Sequence, residues 1–174
     1  EPSRTARGTE FQVSEILLVH DNGPDASDDT MRALAEAHPV VRPVWLSRNF
    51  GQHAATLAGM ASTGGDWIVT MDEDGQHDPK FIADMLDTAL TQQASLVYSM
   101  ARNPPPHGFV RNLASVGAKR VLSSASGLKN AKDFQSFRLM LGSIGRSVAA
   151  YAGPNIYLDV ALGWVTKDVA TCPI

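Results

Sequence analysis

The sequence has one cysteine, Cys172, and no apolar run that approaches the roughly 18 residues needed to cross a bilayer. A lone thiol excludes an internal disulfide and a multi-thiolate zinc site, and it favours a reducing compartment. The first ten residues are polar and charged and lack the apolar segment of a signal peptide. We therefore expect a soluble or peripheral chain, and its 174 residues suffice for one compact domain but not for two ordinary ones.

Acidic and basic residues are separated along the chain. Residues 1–100 carry fifteen Asp and Glu against six Lys and Arg, whereas residues 101–174 carry three against nine, most of them between Arg102 and Arg138. This asymmetry suits a metal ion in the acidic half and phosphates or an anionic membrane surface in the basic half. A solvated helix face with ordinary surface charge explains the basic half equally well.

Strand-like and helix-like segments alternate along the chain. The strand candidates cover residues 15–20, 40–46, 67–71 and 96–100, and the helix candidates cover 29–37, 52–62, 79–92, 109–124 and 143–151. This alternation predicts an α/β fold with a mostly parallel sheet and helices on both faces. Ser27 or Asp28 is expected to cap the first helix. Asp21, Arg48 and Asp72 each follow a strand candidate, so we expect them at the rim beyond the carboxyl ends of the strands, where ligands bind in such sheets.

The segment TMDEDGQHDP, residues 70–79, is the strongest local signal for chemistry. Asp72 and Asp74 lie two residues apart at the end of a strand, where both carboxylates can converge on one cation. Hard ions such as Mg²⁺ or Mn²⁺ prefer oxygen ligands, which Gln76 and a nucleotide diphosphate also supply, while His77 offers an imidazole. Acid pairs also occur in plain surface turns, so this segment alone leaves both interpretations open.

Four segments, in this order and spacing, resemble glycosyltransferase family 2. They are VHDNGPD at 19–25, LSRNFGQHAATLAGM at 46–60, GDWIVTMDEDGQHDPK at 65–80 and DFQSFRLM at 133–140. The resemblance is to the branch that acts on polyprenyl phosphates, such as undecaprenyl-phosphate sugar transferases and dolichol-phosphate-mannose synthases. It implies a GT-A nucleotide-diphospho-sugar transferase fold and a single catalytic domain over residues 1–174. From the comparison with the family pattern, we expect this domain to be shortened at both ends and to lack the usual first strand.

The resemblance also implies roles on the donor side of the site. Asp21 matches an acid that holds the nucleotide base or ribose, and Arg48 matches an arginine near the donor. Asp72 would contact the donor and stabilise positive character on the sugar. Asp74 and Gln76 match ligands of Mg²⁺ or Mn²⁺ beneath the diphosphate.

On the acceptor side, Arg138 matches an arginine that faces the phosphates of donor or acceptor, and its planar guanidinium suits bidentate contact. Lys132 is a second candidate for holding the acceptor phosphate. Three residues depart from the family pattern: His20 replaces an acid, Glu73 replaces a small residue, and Ser136 stands where some relatives have an acid considered as catalytic base. A phosphate nucleophile is already charged near neutral pH, so a strong base is dispensable.

The resulting expectation is a metal-dependent, inverting transfer of a sugar from a nucleotide sugar, with UDP favoured over GDP, to a polyprenyl phosphate. Such an enzyme would act in cell envelope biosynthesis on the cytoplasmic face of the membrane, with no nucleic-acid partner, and the full-length protein could carry transmembrane helices. The alternatives are a transferase acting on a glycan or protein, and a catalytically incomplete nucleotide-binding module. A nucleotidyltransferase would need a glycine-rich phosphate loop near the start, which is absent.

Three residues outside these motifs are also notable. Asp159 is an acid within the apolar stretch IYLDVALGW, and we expect it to pair with a basic residue rather than to serve the reaction. Trp67 and Trp164 are expected in the core or an interface rather than as platforms for a sugar ring.

Overall fold

A computed structural model describes residues 2–100, 136–153 and 156–174 of the chain. The predicted helix over 109–124 and the predicted acceptor ligand Lys132 lie outside these residues. The strands are β1 (Ser3–Arg4), β2 (Glu10–Phe11), β3 (Ile16–His20), β4 (Val41–Trp45), β5 (Trp67–Thr70), β6 (Leu96–Met100), β7 (Arg138–Leu141) and β8 (Val169–Pro173). The helices are α1 (Ser27–Ala37), α2 (Gln52–Ser62), α3 (Ile82–Gln92), α4 (Gly142–Tyr151) and α5 (Leu158–Val165), with a 3₁₀ turn at Pro79–Phe81 before α3.

The α/β class is confirmed, but the sheet is mixed rather than mostly parallel in the described residues. Strand β3 pairs with β4 in parallel, and a second sheet has the order β5-β7-β6-β8. Strand β7 runs antiparallel to both β5 and β6, whereas β8 runs parallel to β6. The sequence pattern does not predict β7 and β8 as strands. The prediction of a mostly parallel sheet therefore takes no account of β7, the strand that runs antiparallel to its neighbours.

Strands β3 and β5 are each paired on one side only within the described residues. Although β3 reads ILLVH, none of its side chains is fully buried, and Ile16 is 43% exposed. Glu15 connects the starts of the two strands, because its carboxylate accepts hydrogen bonds from the Thr63 hydroxyl and the Gly64 amide. Within the described residues, β3 and β5 thus belong to separate sheets that are connected through Glu15.

The helix starts follow local chemistry, with one correction. Ser27 is the first residue of α1, and neither Ser27 nor Asp28 serves as its N-cap: Ala26 is the capping residue and makes no side-chain capping bond. The Ser27 hydroxyl instead donates a hydrogen bond to the Asp25 carboxylate at 2.6 Å, which links Ser27 to the turn before the helix. Pro79 begins the 3₁₀ turn as expected, and Asp78 caps it by accepting from the Lys80 amide.

Two apolar clusters form the core, one on each face of the second sheet. One contains residues of α2, α4 and α5 packed on β5, β6 and β7, and the other contains residues of α3 packed on β6, β7 and β8. Trp67 packs against the second cluster, as expected, whereas Trp164 is 60% exposed and is not a core residue. Within the described residues, none of the helices combines the length and the apolar character needed to span a bilayer.

Glycine allows the close approach between β7 and the segment before β5. A Cβ on Gly142 would lie 2.0 Å from the backbone oxygen of Gly65, and the Gly142 amide donates to the Asp66 carbonyl at 2.6 Å. Antiparallel pairing with β5 places the first residue of β7, Arg138, opposite the last residue of β5, Thr70. The start of β7 therefore lies at the rim where Asp72 follows β5.

Candidate active site

A cavity of about 250 Å³ opens at this rim. It lies among the carboxyl end of β5, the N-terminal turn of α2, the start of β7 and the N-terminal turn of α5. Its lining residues are Gln52, His53, Thr56, Thr70, Met71, Asp72, Ser136, Arg138, Tyr157 and Asp159. Of the predicted site residues, the structure therefore brings Asp72 and Arg138 together in one cavity.

Asp72 is held by hydrogen bonds on both carboxylate oxygens. The Gln52 side-chain amide donates to Oδ1 at 2.7 Å, and the Ser136 hydroxyl donates to Oδ2 at 2.5 Å. The Asp72 backbone amide donates to Nδ1 of His77 at 3.2 Å, which fixes the following turn. These contacts fix the direction of a half-buried carboxylate at the cavity wall, and they use Ser136 as a donor to Asp72.

Gln52 reaches Asp72 because of an unusual turn at the start of α2. Gly51, which precedes the helix, has φ 90° and ψ 162°, a conformation close to exclusive to glycine. The Asp21 carboxylate accepts from the Phe50 amide at 2.8 Å and from the Gly51 amide at 2.7 Å. Asp21 thus secures the start of α2 and does not line the cavity, and its predicted contact with the nucleotide stays a prediction.

Arg48 also lies at the start of α2 and outside the cavity lining. It is exposed, and its guanidinium carbon is 4.6 Å from the centre of the Phe50 ring. This cation–π contact holds the arginine over the turn that Asp21 secures. The predicted role of Arg48 near the donor is untested.

Asp74 and Gln76 lie on the exposed turn that follows Asp72. The Gln76 amide donates to Oδ1 of Asp74 at 3.0 Å, and Gly75 between them has φ 77°. Among the described residues, no three His, Cys, Asp or Glu side chains gather where they could hold a metal ion. Asp72, Asp74 and Gln76 nevertheless all offer side-chain oxygen atoms as metal ligands. Mg²⁺ and Mn²⁺ prefer oxygen ligands, and a bound ligand and water can complete the coordination. The residues therefore fit such an ion by donor type.

A buried ion pair forms the inner wall of the cavity. Nη1 of Arg138 donates to Oδ1 of Asp159 at 2.6 Å, and the Tyr98 hydroxyl donates to the same oxygen at 2.9 Å. Burial, and then the negative charge of Asp159, raise the pKa of Tyr98 well above its ordinary value, so its hydroxyl remains a donor. The expected pairing of Asp159 with a basic residue is confirmed.

Sequence reasoning did not identify several residues of the cavity as site residues. Gln52 and His53 lie within LSRNFGQH, and their place in this motif is the sequence feature that could have identified them. For Asp159, that feature is an acid within an apolar stretch. No local pattern singled out Tyr98 or Tyr157. Burial, and then Asp159, raise the pKa of Tyr157, which lies beside the ion pair.

The fold and the site together define an α/β domain with a polar, charged cavity at the carboxyl end of a sheet strand. In α/β domains of this class, ligands bind at this rim. The family model for Glycosyl transferase family 2 matches residues 4–142 of the chain. The chain therefore belongs to glycosyl transferase family 2.

Curated relatives narrow the resemblance to transferases named for polyprenyl phosphates. Undecaprenyl-phosphate 4-deoxy-4-formamido-L-arabinose transferase of Erwinia tasmaniensis is 38% identical over 116 residues, which are 65% of this chain and 34% of the relative. Bactoprenol glucosyl transferase of Shigella phage SfX is 26% identical over 151 residues, which are 87% of this chain and 49% of the relative. The chain spans half or less of the length of these relatives.

Solved structures confirm the GT-A fold. Glucosyl-3-phosphoglycerate synthase of Mycobacterium tuberculosis, in complex with Mn²⁺, uridine diphosphate and glucosyl-3-phosphoglycerate, has a TM-score of 0.59 at 17% identity, covering 92% of this chain and 59% of that one. Mannosyl-3-phosphoglycerate synthase of Rubrobacter xylanophilus has a TM-score of 0.58 at 14% identity, covering 92% of this chain and 54% of that one.

Proposed function

We propose that this chain carries the donor site of a glycosyltransferase that moves a sugar from a nucleotide sugar to a polyprenyl phosphate. The observation that carries the proposal is the cavity in which a fixed carboxylate, Asp72, and a buried guanidinium, Arg138, line the same rim of a family 2 domain. The acceptor class is supported by the curated relatives, which are named for undecaprenyl phosphate and bactoprenol.

The proposal includes a divalent cation, Mg²⁺ or Mn²⁺, held by Asp74 and Gln76 close to Asp72. Among the described residues that line the cavity, the carboxylates Asp72 and Asp159 outnumber the single guanidinium, Arg138. A diphosphate entering this negative environment would be repelled, so it needs a cation to enter with it. When bound, the ion supplies positive charge that stabilises the departing diphosphate. A solved structure of the same fold was obtained with Mn²⁺ and uridine diphosphate, which favours UDP as the nucleotide.

In the proposed reaction, an oxygen of the prenyl phosphate attacks the anomeric carbon while the bond from that carbon to the diphosphate breaks. Asp72 faces the developing positive character on the sugar, and its fixed orientation means that no reorganisation is needed at that moment. A phosphate monoester has its second pKa near about 6, so the nucleophile is charged at neutral pH and needs no strong base. A single displacement inverts the configuration. Arg138, with Lys132 as a second candidate, would hold the acceptor phosphate.

The polyprenyl acceptor places the proposed reaction at an anionic membrane surface, in the assembly of the cell envelope. The basic residues between Arg102 and Arg138 are the proposed contact, and a polybasic segment near such a surface contributes about 1 kcal/mol per Lys or Arg.

Calorimetric titration with UDP, in the presence and absence of Mn²⁺, tests the donor site. We expect binding that requires Mn²⁺ and is lost in Asp74→Ala. Asp66→Ala is a matched control, because Asp66 is an exposed acid that precedes β5, at the opposite end of the strand from the cavity. Binding by wild type and Asp66→Ala alone supports the metal site. Equal binding by Asp74→Ala, or no binding by any protein, contradicts it.

A further inference from the structure

Arg138 lies at the boundary between the apolar core and the cavity. In the sheet it is directly opposite Tyr98 of β6 and Thr70 of β5, and residues in such positions project from the same face. Two residues further along β7, Met140 belongs to the apolar cluster on that face. Arg138 is only 5% exposed, so its charge is almost removed from water.

A charge in this position requires a partner that is itself held in place. Asp159 is 3% exposed and lies in the first turn of α5, where both of its neighbours, Leu158 and Val160, are buried. Its Oδ1 accepts from Arg138 and from Tyr98, which connects α5 to both β6 and β7 through one oxygen. The guanidinium is thus oriented by two residues that belong to different elements.

Among the described residues, the ion pair leaves Nε of the guanidinium without an acceptor. An arginine has five N–H donors, and only Nη1 is engaged with Asp159. Nε is buried, and no residue in the described part of the chain accepts its hydrogen bond. A structural Arg–carboxylate pair is frequently bidentate, whereas this one uses a single bond. The geometry is that of an arginine held in place with donors left for an oxyanion.

We propose that Asp159 and Tyr98 are positioning residues for Arg138, and that they hold its guanidinium at the cavity wall for a phosphate group. This inference rests on the proposed function, since the phosphate is that of the donor or the acceptor. It assigns Asp159 an effect on ligand affinity through Arg138 that a purely structural ion pair would not have.

Two substitutions separate positioning from charge. Asp159→Asn removes the charge but retains an acceptor oxygen, whereas Asp159→Leu removes both at similar volume. If Asp159 acted only by its charge, the two variants would bind an anion equally, and both more tightly than wild type, because a negative charge near the ligand is lost. If Asp159 positions Arg138, the anion affinity of Asp159→Asn should stay close to that of wild type, and the anion affinity of Asp159→Leu should be lower.

The first readout is the ¹⁵N NMR signal of the Arg138 Nε–H group, assigned by its loss in Arg138→Lys. We expect a rigid group in wild type and Asp159→Asn and a mobile one in Asp159→Leu. Arg146 is the internal control, because its Nη1 donates to the Gly65 carbonyl at 2.9 Å and is independent of Asp159. An Arg138 signal that is equally rigid in Asp159→Leu overturns the proposal, whether or not the protein binds a nucleotide.

The second readout is the affinity for each phosphate ligand, measured with UDP and Mn²⁺ for the donor and with a short-chain prenyl phosphate for the acceptor. We expect Asp159→Leu to weaken at least one of these affinities by about tenfold or more, as for the loss of a charge-assisted hydrogen bond, and Asp159→Asn to change both by no more than about threefold. Equal affinities of the two variants for both ligands overturn the proposal. Should Asp159→Leu not fold, Tyr98→Phe replaces it and should increase the mobility of Arg138, whereas an unchanged signal contradicts the proposal. Absence of binding by wild type refutes the proposed function, and the NMR result still decides the positioning.

Discussion

Gly51→Ala tests whether the backbone before α2 organises the site. A Cβ built on Gly51 meets no heavy atom within 4 Å, so the substitution adds no steric clash. Its penalty comes from the φ of 90° and ψ of 162°, a region in which other residues are strained by about 1–3 kcal/mol. Relaxation of that strain would move the Phe50 and Gly51 amides away from Asp21, and Gln52 away from Asp72.

We expect Gly51→Ala to lower the free energy of unfolding by about 1–3 kcal/mol, seen as a lower urea midpoint and a Tm reduced by about 2–4 °C for each kcal/mol. Affinity for UDP with Mn²⁺ should fall as well, because Asp72 loses one of its two side-chain donors. Gly64→Ala is the matched control: a Cβ there also meets nothing within 4 Å, and its φ is not positive. If the two variants unfold at the same urea concentration and bind alike, the conformation of Gly51 does not organise the site and the reasoning is refuted.

Three further predictions concern the carboxylates and the basic segment. Gln52→Ala should weaken UDP binding about three- to tenfold by calorimetry while leaving the urea midpoint nearly unchanged, because the lost bond is exposed; an unchanged affinity contradicts the role given to Asp72. The Thr63 hydroxyl, the Gly64 amide and Arg42 lower the pKa of Glu15 below 4.5, so its stabilising effect is present above that value and is lost as the pH falls through the folded-state pKa. Glu15→Gln should therefore destabilise the protein by about 1 kcal/mol at pH 7 and progressively less under acid, and a pH-independent difference would count against the assignment. Association with anionic liposomes should weaken as salt is raised in a sedimentation assay, and salt-independent binding would exclude the electrostatic contact.

The local elements and the identity of the family could be predicted from the sequence alone. The strand ending at Thr70 and the helix over 52–62 are where the pattern places them, because apolar periodicity, glycine and proline act over short distances. Asp72 was expected at the rim because it directly follows a strand. The four motifs identified family 2 because their order and spacing belong to the chain itself.

The partners of these residues were decided by tertiary structure. Arg138 and Asp159 are 21 residues apart in the sequence, and Tyr98 is 61 residues from Asp159, so no local pattern links the three. Their meeting depends on β7 running antiparallel between β5 and β6, a direction that periodicity does not encode. The contacts of Asp21 with the amides of Phe50 and Gly51 are likewise formed across about 30 residues of sequence and were not predicted from it. Residue type and spacing thus predicted Asp72 at the rim, whereas the partner of each buried charge depended on long-range packing. The reason is that a buried charge is stable only when an opposite charge or a hydrogen-bond partner lies beside it.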